Sequence, residues 1–196
     1  MEYEGILYDE CDNVYPPSED TFLLIDNLEV EKGSKVLEIG GGTGLVSITA
    51  SKTAKHVTVT DINPYAINCI QHNIELNNRK NILVKECDLF SDIDEKYDLI
   101  IFNTPYLPVL EEEHDSSDEY QKAWDGGVDG RQVIDKFLDQ VRDYLVDNGK
   151  IQIVQSSFSD NDKTLSVLEA NGFDAVVSAN LHQFFEDITL ITAVLK

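Results

Sequence analysis

The sequence predicts an α/β domain: an open, mostly parallel seven-stranded sheet with a final antiparallel strand and helices on both faces. Three observations carry this expectation. Short apolar runs rich in Val, Ile and Leu recur along the chain, as buried parallel strands do. Stretches of helical periodicity separate them. The first four runs each stop abruptly at a Gly, Asp or Asn, the residue types that end a strand in a turn.

The elements follow in order. Residues 20–28 read as a leading helix with Ser18 as its N-cap. Residues 35–39 form the first core strand and run into Gly40, Gly41, Gly42 and Gly44, after which residues 45–51 start a helix. The second strand, 56–60, ends at Asp61, and Asn63-Pro64 opens a helix that reaches about Asn77. A third strand, 82–87, ends at Asp88, and a fourth, 99–102, ends at Asn103. Residues 131–146 carry the clearest amphipathic stripe, with Ile134, Phe137, Leu138, Val141 and Leu145 on one face and Asn148-Gly149 as the stop. The fifth strand covers 150–155, a helix covers 165–170, and strands 173–178 and 188–195 close the sheet. The chain shows no internal repeat, low-complexity tract or linker, so it divides only into an N-terminal segment with its leading helix, 1–34, and the sheet domain, 35–196.

Two constellations carry chemistry. In the first, glycines let the backbone approach a ligand closely, yet the spacing is G-x-G-x-G and the preceding residue of interest is the acidic Glu38. A carboxylate there repels phosphate and suits a cationic or amino-bearing ligand. Asp61 follows about 20 residues later, where a carboxylate accepts bonds from ribose hydroxyls. Asp88 stands where it can accept from an exocyclic amine such as that of adenine. Each acid alone is equally a helix cap or a solvated turn; three acids at successive strand ends beside a glycine loop form a pattern.

The second constellation is Asn103-Thr104-Pro105-Tyr106. Pro105 lacks an N–H and restricts Thr104 to extended geometry, so the ladder stops there. The turn offers the Asn103 side-chain oxygen and the Thr104 carbonyl as converging acceptors with the Tyr106 ring beside them. A planar –NH2 group on a π-system fits that arrangement.

These residues resemble a family. Glu38, Gly40, Gly42, Gly44, Asp61, Asp88 and the Asn103 turn are similar to the Rossmann-like class I S-adenosylmethionine-dependent methyltransferases, and the turn is similar to the N-P-P-Y motif of enzymes that methylate amino groups conjugated to π-systems. The stretches from Val14 to Leu24 and from Ala123 to Arg131 resemble the archaeal and eukaryotic branch of the HemK/PrmC-like protein glutamine methyltransferases. The resemblance implies S-adenosyl-L-methionine as cofactor and, as substrate, the glutamine of the Gly-Gly-Gln loop in the class 1 translation termination factor. It adds Thr21 near the methionine end of the cofactor, Leu89 beside the adenine and Asn103 as a further cofactor-binding residue, and it implies a small zinc-binding activator as heterodimer partner. Asn103, Thr104, Pro105 and Tyr106 are the implied catalytic residues; no metal is implied. Two departures stand out. Thr104 replaces the usual proline, at a position whose role belongs to the main-chain carbonyl. No helical N-terminal domain of the bacterial kind precedes the first core strand, so docking falls to another element, such as a partner subunit. A nucleic-acid N6-adenine or N2-guanine methyltransferase and a lysine-directed protein methyltransferase use the same kind of turn and are the alternatives.

Composition bounds these readings. The chain has 196 residues, enough for one core, and 42% of them are hydrophobic. Fifteen basic against 37 acidic residues give a formal net charge of −22, a field that repels phosphate and makes direct nucleic-acid binding a poor expectation. The acidity suits either a basic protein partner or a salt-rich cytoplasm. Residues 111–119 are nearly all acidic or polar and read as a solvated loop or as a lid that orders on a protein substrate. No run approaches the roughly 18 apolar residues of a membrane span, and the acidic N-terminus is unlike a signal peptide, so a cytoplasmic location is expected. Cys11, Cys69 and Cys87 are widely spaced and odd in number, and are expected to be buried thiols. The four histidines are scattered, and the proposed chemistry needs none of them.

Overall fold

A computed structural model describes residues 1–113, 115, 117–183 and 185–196, without the side chain of Glu111. Its elements are β1 (Glu2–Tyr3), β2 (Ile6–Leu7), α1 (Glu19–Asp26), β3 (Lys35–Ile39), α2 (Leu45–Ala50), β4 (His56–Asp61), α3 (Pro64–Leu76), β5 (Ile82–Glu86), β6 (Tyr97–Asn103), α4 (Gln132–Gln140), β7 (Leu145–Ser156), α5 (Asn161–Ala170), β8 (Phe173–His182) and β9 (Asp187–Leu195). Among the described residues β3 to β9 form one seven-stranded sheet in the order β5-β4-β3-β6-β7-β9-β8, and β1 pairs with β2 as a small separate hairpin. The strands from β5 to β7 are parallel; β9 runs antiparallel to both of its neighbours.

Strands buried on both faces alternate their side chains between two cores. Leu37, Ile39, Ile100 and Phe102 pack with α4 residues Ile134, Phe137 and Leu138. Val36, Leu99 and Ile101 face the opposite way and pack with Leu24 of α1, Leu45 and Ile48 of α2 and Ile70 of α3. Both cores are therefore closed by helices that leave the carboxyl ends of β3, β4, β5 and β6 at one edge of the sheet. The order also reverses between β3 and β6, since β4 lies on one side of β3 and β6 on the other. Open α/β sheets bind ligands in the crevice at such a point.

Three expectations are corrected. The helix expected over 131–146 stops at Gln140; a 3₁₀ turn, Val141–Tyr144, follows, and Leu145 already belongs to β7. Leu145 pairs with Tyr97 of β6, and the register then jumps to Leu99 opposite Lys150. Asn148, at φ +62°, and Gly149 make that irregularity inside the strand instead of capping a helix. The apolar stripe misled because a 3₁₀ turn kept Val141 on the buried side.

The cysteine reading changes too. Cys11 and Cys69 are joined in a disulfide, with Cα atoms 6.0 Å apart, and only Cys87 is a buried free thiol. The residues lie 58 apart in sequence, so spacing gave no sign of the approach; α3 brings them together by passing under the N-terminal segment. The same contact is fixed by Asn73 of α3, whose side chain accepts from Asp9 N at 2.8 Å and donates to the Asp9 and Thr43 carbonyls. The third correction concerns bounds: α5 begins at Asn161, ahead of the expected 165, and β8 runs on to His182, past the expected 178. The β1–β2 hairpin, where no element was expected, is too short to carry a periodic signal.

Candidate active site

The glycine loop between β3 and α2 is held in a conformation that side chains would obstruct. A Cβ on Gly41 would come within 2.3 Å of Val59 Cγ2 on the neighbouring strand, so the loop can lie against β4 only with glycine there. Gly42, at φ +55°, has open space on its outer side, where the nearest heavy atom to an added Cβ is the Tyr15 carbonyl oxygen at 3.7 Å. The loop presents bare backbone to the crevice at that point. Sequence spacing pointed to Gly40, Gly42 and Gly44; Gly41, the intervening position, is the most tightly enclosed of the four.

Asp61 ends β4 and ties the loop down. Its Oδ2 accepts from Gly42 N at 2.9 Å and its Oδ1 from Asn63 N at 2.9 Å. Burial raises its pKa, partly offset by these backbone donors. A carboxylate has about four acceptor sites, so these donors do not exhaust its capacity. Glu38 lies deeper, only 3% exposed, and accepts a short hydrogen bond from Ser47 of α2. Burial pushes its carboxyl up from the ordinary 4.5 to about 8. Asp88 and Leu89 follow β5; Asp88 is exposed, Leu89 is buried with φ +48°, and both line the same cleft.

Opposite this wall stands the end of β6. Asn103 is its last residue, and the Asn103 Oδ1 is buried with no hydrogen-bond partner among the described residues. A buried orphan acceptor costs about 1–3 kcal/mol, a cost that a donor from outside the chain would relieve. Thr104 N and Oγ1 both donate to the Val154 carbonyl, at 3.2 and 2.8 Å, which anchors the turn on β7. The Tyr106 hydroxyl donates to Asp20 Oδ2 at 3.3 Å. Burial, followed by the nearby Asp20, Tyr15 and Glu186, raises the Tyr106 pKa, so the phenol keeps its proton. Tyr15, pushed up to about 12 by burial and by Asp20, lines the same wall.

Asp20 is the residue that sequence reasoning passed over. It follows the N-cap and reads as an ordinary first-turn helix acid, but it is 5% exposed, accepts from Thr21 N at 2.6 Å and faces Tyr106 across 86 residues of sequence. The one available signal was its place inside the stretch from Val14 to Leu24. Thr21 is buried beside it, with its Oγ1 3.2 Å from Asp20 Oδ1 and 3.4 Å from Ser18 N. All the sequence-derived site residues except Gly44 line one cleft of about 340 Å³, a size suited to a small ligand. Gly44 caps α2 behind it at φ +83°. Asp115 and Glu119 of the acidic stretch border the mouth; His114 and Ser116 lie outside the described residues. His72 pairs with Asp9 and His182 with Asp187, both on the surface and away from the cleft.

Comparison with known proteins agrees with this geometry. Residues 18–120 match the family model described as "Methyltransferase small domain". A protein of Methanocaldococcus jannaschii, provisionally named a protein N5-glutamine methyltransferase, is 44% identical over 195 residues, covering 98% of each chain. The human methyltransferase HEMK2 is 31% identical over 91% of this chain and 88% of its own. Among solved structures, the E. cuniculi Mtq2–Trm112 complex, described as responsible for methylation of the eRF1 translation termination factor, superposes with a TM-score of 0.75 at 25% identity, over 94% of this chain and 99% of that one. No helix among the described residues is long and apolar enough to cross a membrane. With a Rossmann-like sheet, a glycine loop at its switch point and relatives matched over nearly their whole length, this chain is a methyltransferase of the small-domain family, on its HemK-like glutamine methyltransferase branch.

Proposed function

We propose that this chain uses S-adenosyl-L-methionine to methylate the side-chain amide nitrogen of a glutamine in the Gly-Gly-Gln loop of the class 1 translation termination factor. The observation that carries the proposal is the buried, unpartnered Asn103 Oδ1 in the cleft shared with the glycine loop and Asp61. The names of the relatives supply the substrate: N5-glutamine methylation in one and methylation of eRF1 by another. The residues present fit the cofactor, because Gly42 offers unobstructed backbone and the acidic side chains of Glu38, Asp61 and Asp88 offer acceptors for an amino group, a ribose and an exocyclic amine. Glu38, Gly40, Gly42 and Gly44 would hold the methionine end together with Thr21; Asp61 would hold the ribose, and Asp88 and Leu89 the adenine. Residues 35–196 would then be the cofactor-binding domain, with 1–34 contributing Tyr15, Asp20 and Thr21 to its wall.

The cofactor supplies an electrophilic methyl group on a sulfonium. The chain's task is to present a poor nucleophile, since an amide nitrogen delocalises its lone pair into the carbonyl. Asn103 Oδ1 accepts one amide N–H and the Thr104 carbonyl accepts the other, which turns the nitrogen's π face toward the methyl and raises its electron density. Pro105 keeps the turn from relaxing into the ladder, and the Tyr106 ring packs on the amide plane. After transfer the nitrogen is acidic and loses its proton to water, so a strong general base is not required. A small zinc-binding partner subunit and a cytoplasmic site of action, where termination takes place, belong to the same proposal.

The test is methyl transfer from labelled S-adenosylmethionine, with and without that partner, to the termination factor, its Gln→Ala loop variant and total RNA. Label on the wild-type factor that vanishes in the variant supports the proposal. Label on RNA alone overturns it and would show that a −22 chain binds phosphate after all.

A further inference from the structure

The stretch from Trp124 to Arg131 carries none of the proposed chemistry, yet it borders the cleft at Trp124 and Asp125 and bonds to the chain that follows Tyr106. We infer that Arg131 and Ser159 are positioning residues that hold the Tyr106 end of the Asn103 turn, and the inference rests on the reading of that turn as the substrate grip. The first half of the turn is tied to β7 through Thr104 and Val154. Beyond Pro105 that connection is lost, and the chain is supported differently. The Tyr106 carbonyl accepts from Ser159 Oγ at 2.8 Å. Gly130 sits against the same carbonyl, where an added Cβ would lie 2.4 Å from the oxygen, so glycine alone permits the approach. Leu107 N donates to the Trp124 carbonyl and Gly126 N to the Leu107 carbonyl, both at 2.9 Å.

Ser159 is itself held by Arg131. The guanidinium is 3% exposed and donates to the Ser159 carbonyl, to the Asp160 carbonyl at 3.0 Å, to Thr164 Oγ1 at 2.9 Å and, through Nε and Nη2, to Asp135 Oδ1 at 3.0 and 2.6 Å. Burial of the Asp135 carboxyl works to raise its pKa, but Lys163 and Arg131 outweigh it and the pKa falls. One rigid fork thus spans α4, the 3₁₀ turn Ser157–Ser159 and the start of α5, an arrangement that an ammonium with three donors cannot reproduce. The fork fixes Ser159, and Ser159 fixes the carbonyl next to the Tyr106 ring. Removing the Ser159 hydroxyl should free the ring without touching cofactor or substrate.

The experiment compares wild type, Ser159→Ala, Arg131→Lys and the surface control Ser166→Ala in two readouts: hydrogen exchange of the peptide covering residues 104–109, and kcat, KM and cofactor affinity. For Ser159→Ala we expect faster exchange concentrated in that peptide and a kcat lowered about 10- to 100-fold, with cofactor affinity unchanged and the melting temperature lowered by no more than a few degrees through the unpaired Tyr106 carbonyl. Arg131→Lys should show the same local signature despite its retained charge, and Ser166→Ala should match wild type. Unchanged exchange in Ser159→Ala, or faster exchange with an unchanged kcat, overturns the inference. So does a loss of turnover that merely tracks the folded fraction. A wild-type chain that never methylates glutamine would sink the proposed function instead, while the exchange readout would still decide whether the brace exists.

Discussion

The two walls of the cleft are built in different ways. The proposed cofactor wall is mostly local: apart from Thr21 of α1, its residues sit at or just past strand ends, and Asp61 joins its carboxylate to the backbone N–H groups of Gly42 and Asn63. The proposed substrate wall is assembled from distant parts: Asp20 from α1, Tyr106 from the turn after β6, Gly130 and Arg131 from just ahead of α4, and Ser159 from beyond β7. A wall of the first kind forms once the parallel strands align. One of the second kind depends on both helical layers being in place, so substitutions there should impair turnover while leaving cofactor binding intact.

That contrast is open to breakage. Apart from Asn103 itself, the largest effect is expected at Tyr106. Tyr106→Ala removes the ring and should lower kcat/KM about 100-fold, whereas Tyr106→Phe keeps the ring, loses only the bond to Asp20 and should cost less than about ten-fold. Steady-state kinetics check this, and equal losses would shift the role from the ring to the hydroxyl. On the other wall, Gly41→Ala forces a methyl group against Val59 and should destabilise the fold by about 1–3 kcal/mol, as overpacked cores do, while weakening cofactor binding measured by calorimetric titration. An unaltered affinity would show that the loop does not carry the cofactor.

The disulfide links the walls covalently, because Cys11 lies just ahead of Tyr15 and Cys69 lies in α3 behind the glycine loop. Cys11→Ser should lower stability in urea by about 2–4 kcal/mol, and a reductant should erase the difference from wild type. An identical midpoint for oxidised and reduced wild type would argue that the bond contributes nothing. A pH-dependent effect concerns Glu38. Its folded pKa, about 8, lies above the ordinary 4.5, so the folded state holds a proton that the unfolded state releases. Its contribution is therefore fully present below about pH 4.5 and is lost as pH rises through about 8. Glu38→Gln should flatten that slope in denaturation midpoints taken across the window; an unchanged slope would place the titration elsewhere.

How far the sequence was legible follows the same division. β3, β4 and β5 were readable because each is a short apolar run stopped by a turn residue, and Asn103 was readable because Pro105 cannot extend a ladder. The 131–146 helix was misjudged where periodicity alone cannot tell a helix from a 3₁₀ turn leading into a strand, and Asn148-Gly149 punctuates either one. Asp20 escaped because an acid after an N-cap already has a local explanation. Arg131 and Ser159 escaped because their significance is a contact across 28 residues, and the Cys11–Cys69 pair because its closure depends on the packing of α3. Local chemistry was visible in the residues; long-range assembly was not.

The most direct measurement of the central claim is the paired determination of turnover on the termination factor and S-adenosylmethionine affinity in Asn103→Ala. Asn103 Oδ1 has no partner among the described residues, so its loss should cost the proposed cofactor wall little. The expected result is a kcat lowered by about 10²- to 10³-fold, the scale of losing one preorganised polar group, with cofactor affinity within a few-fold of wild type. Equal losses of binding and turnover, or full turnover, would contradict the role assigned to Asn103.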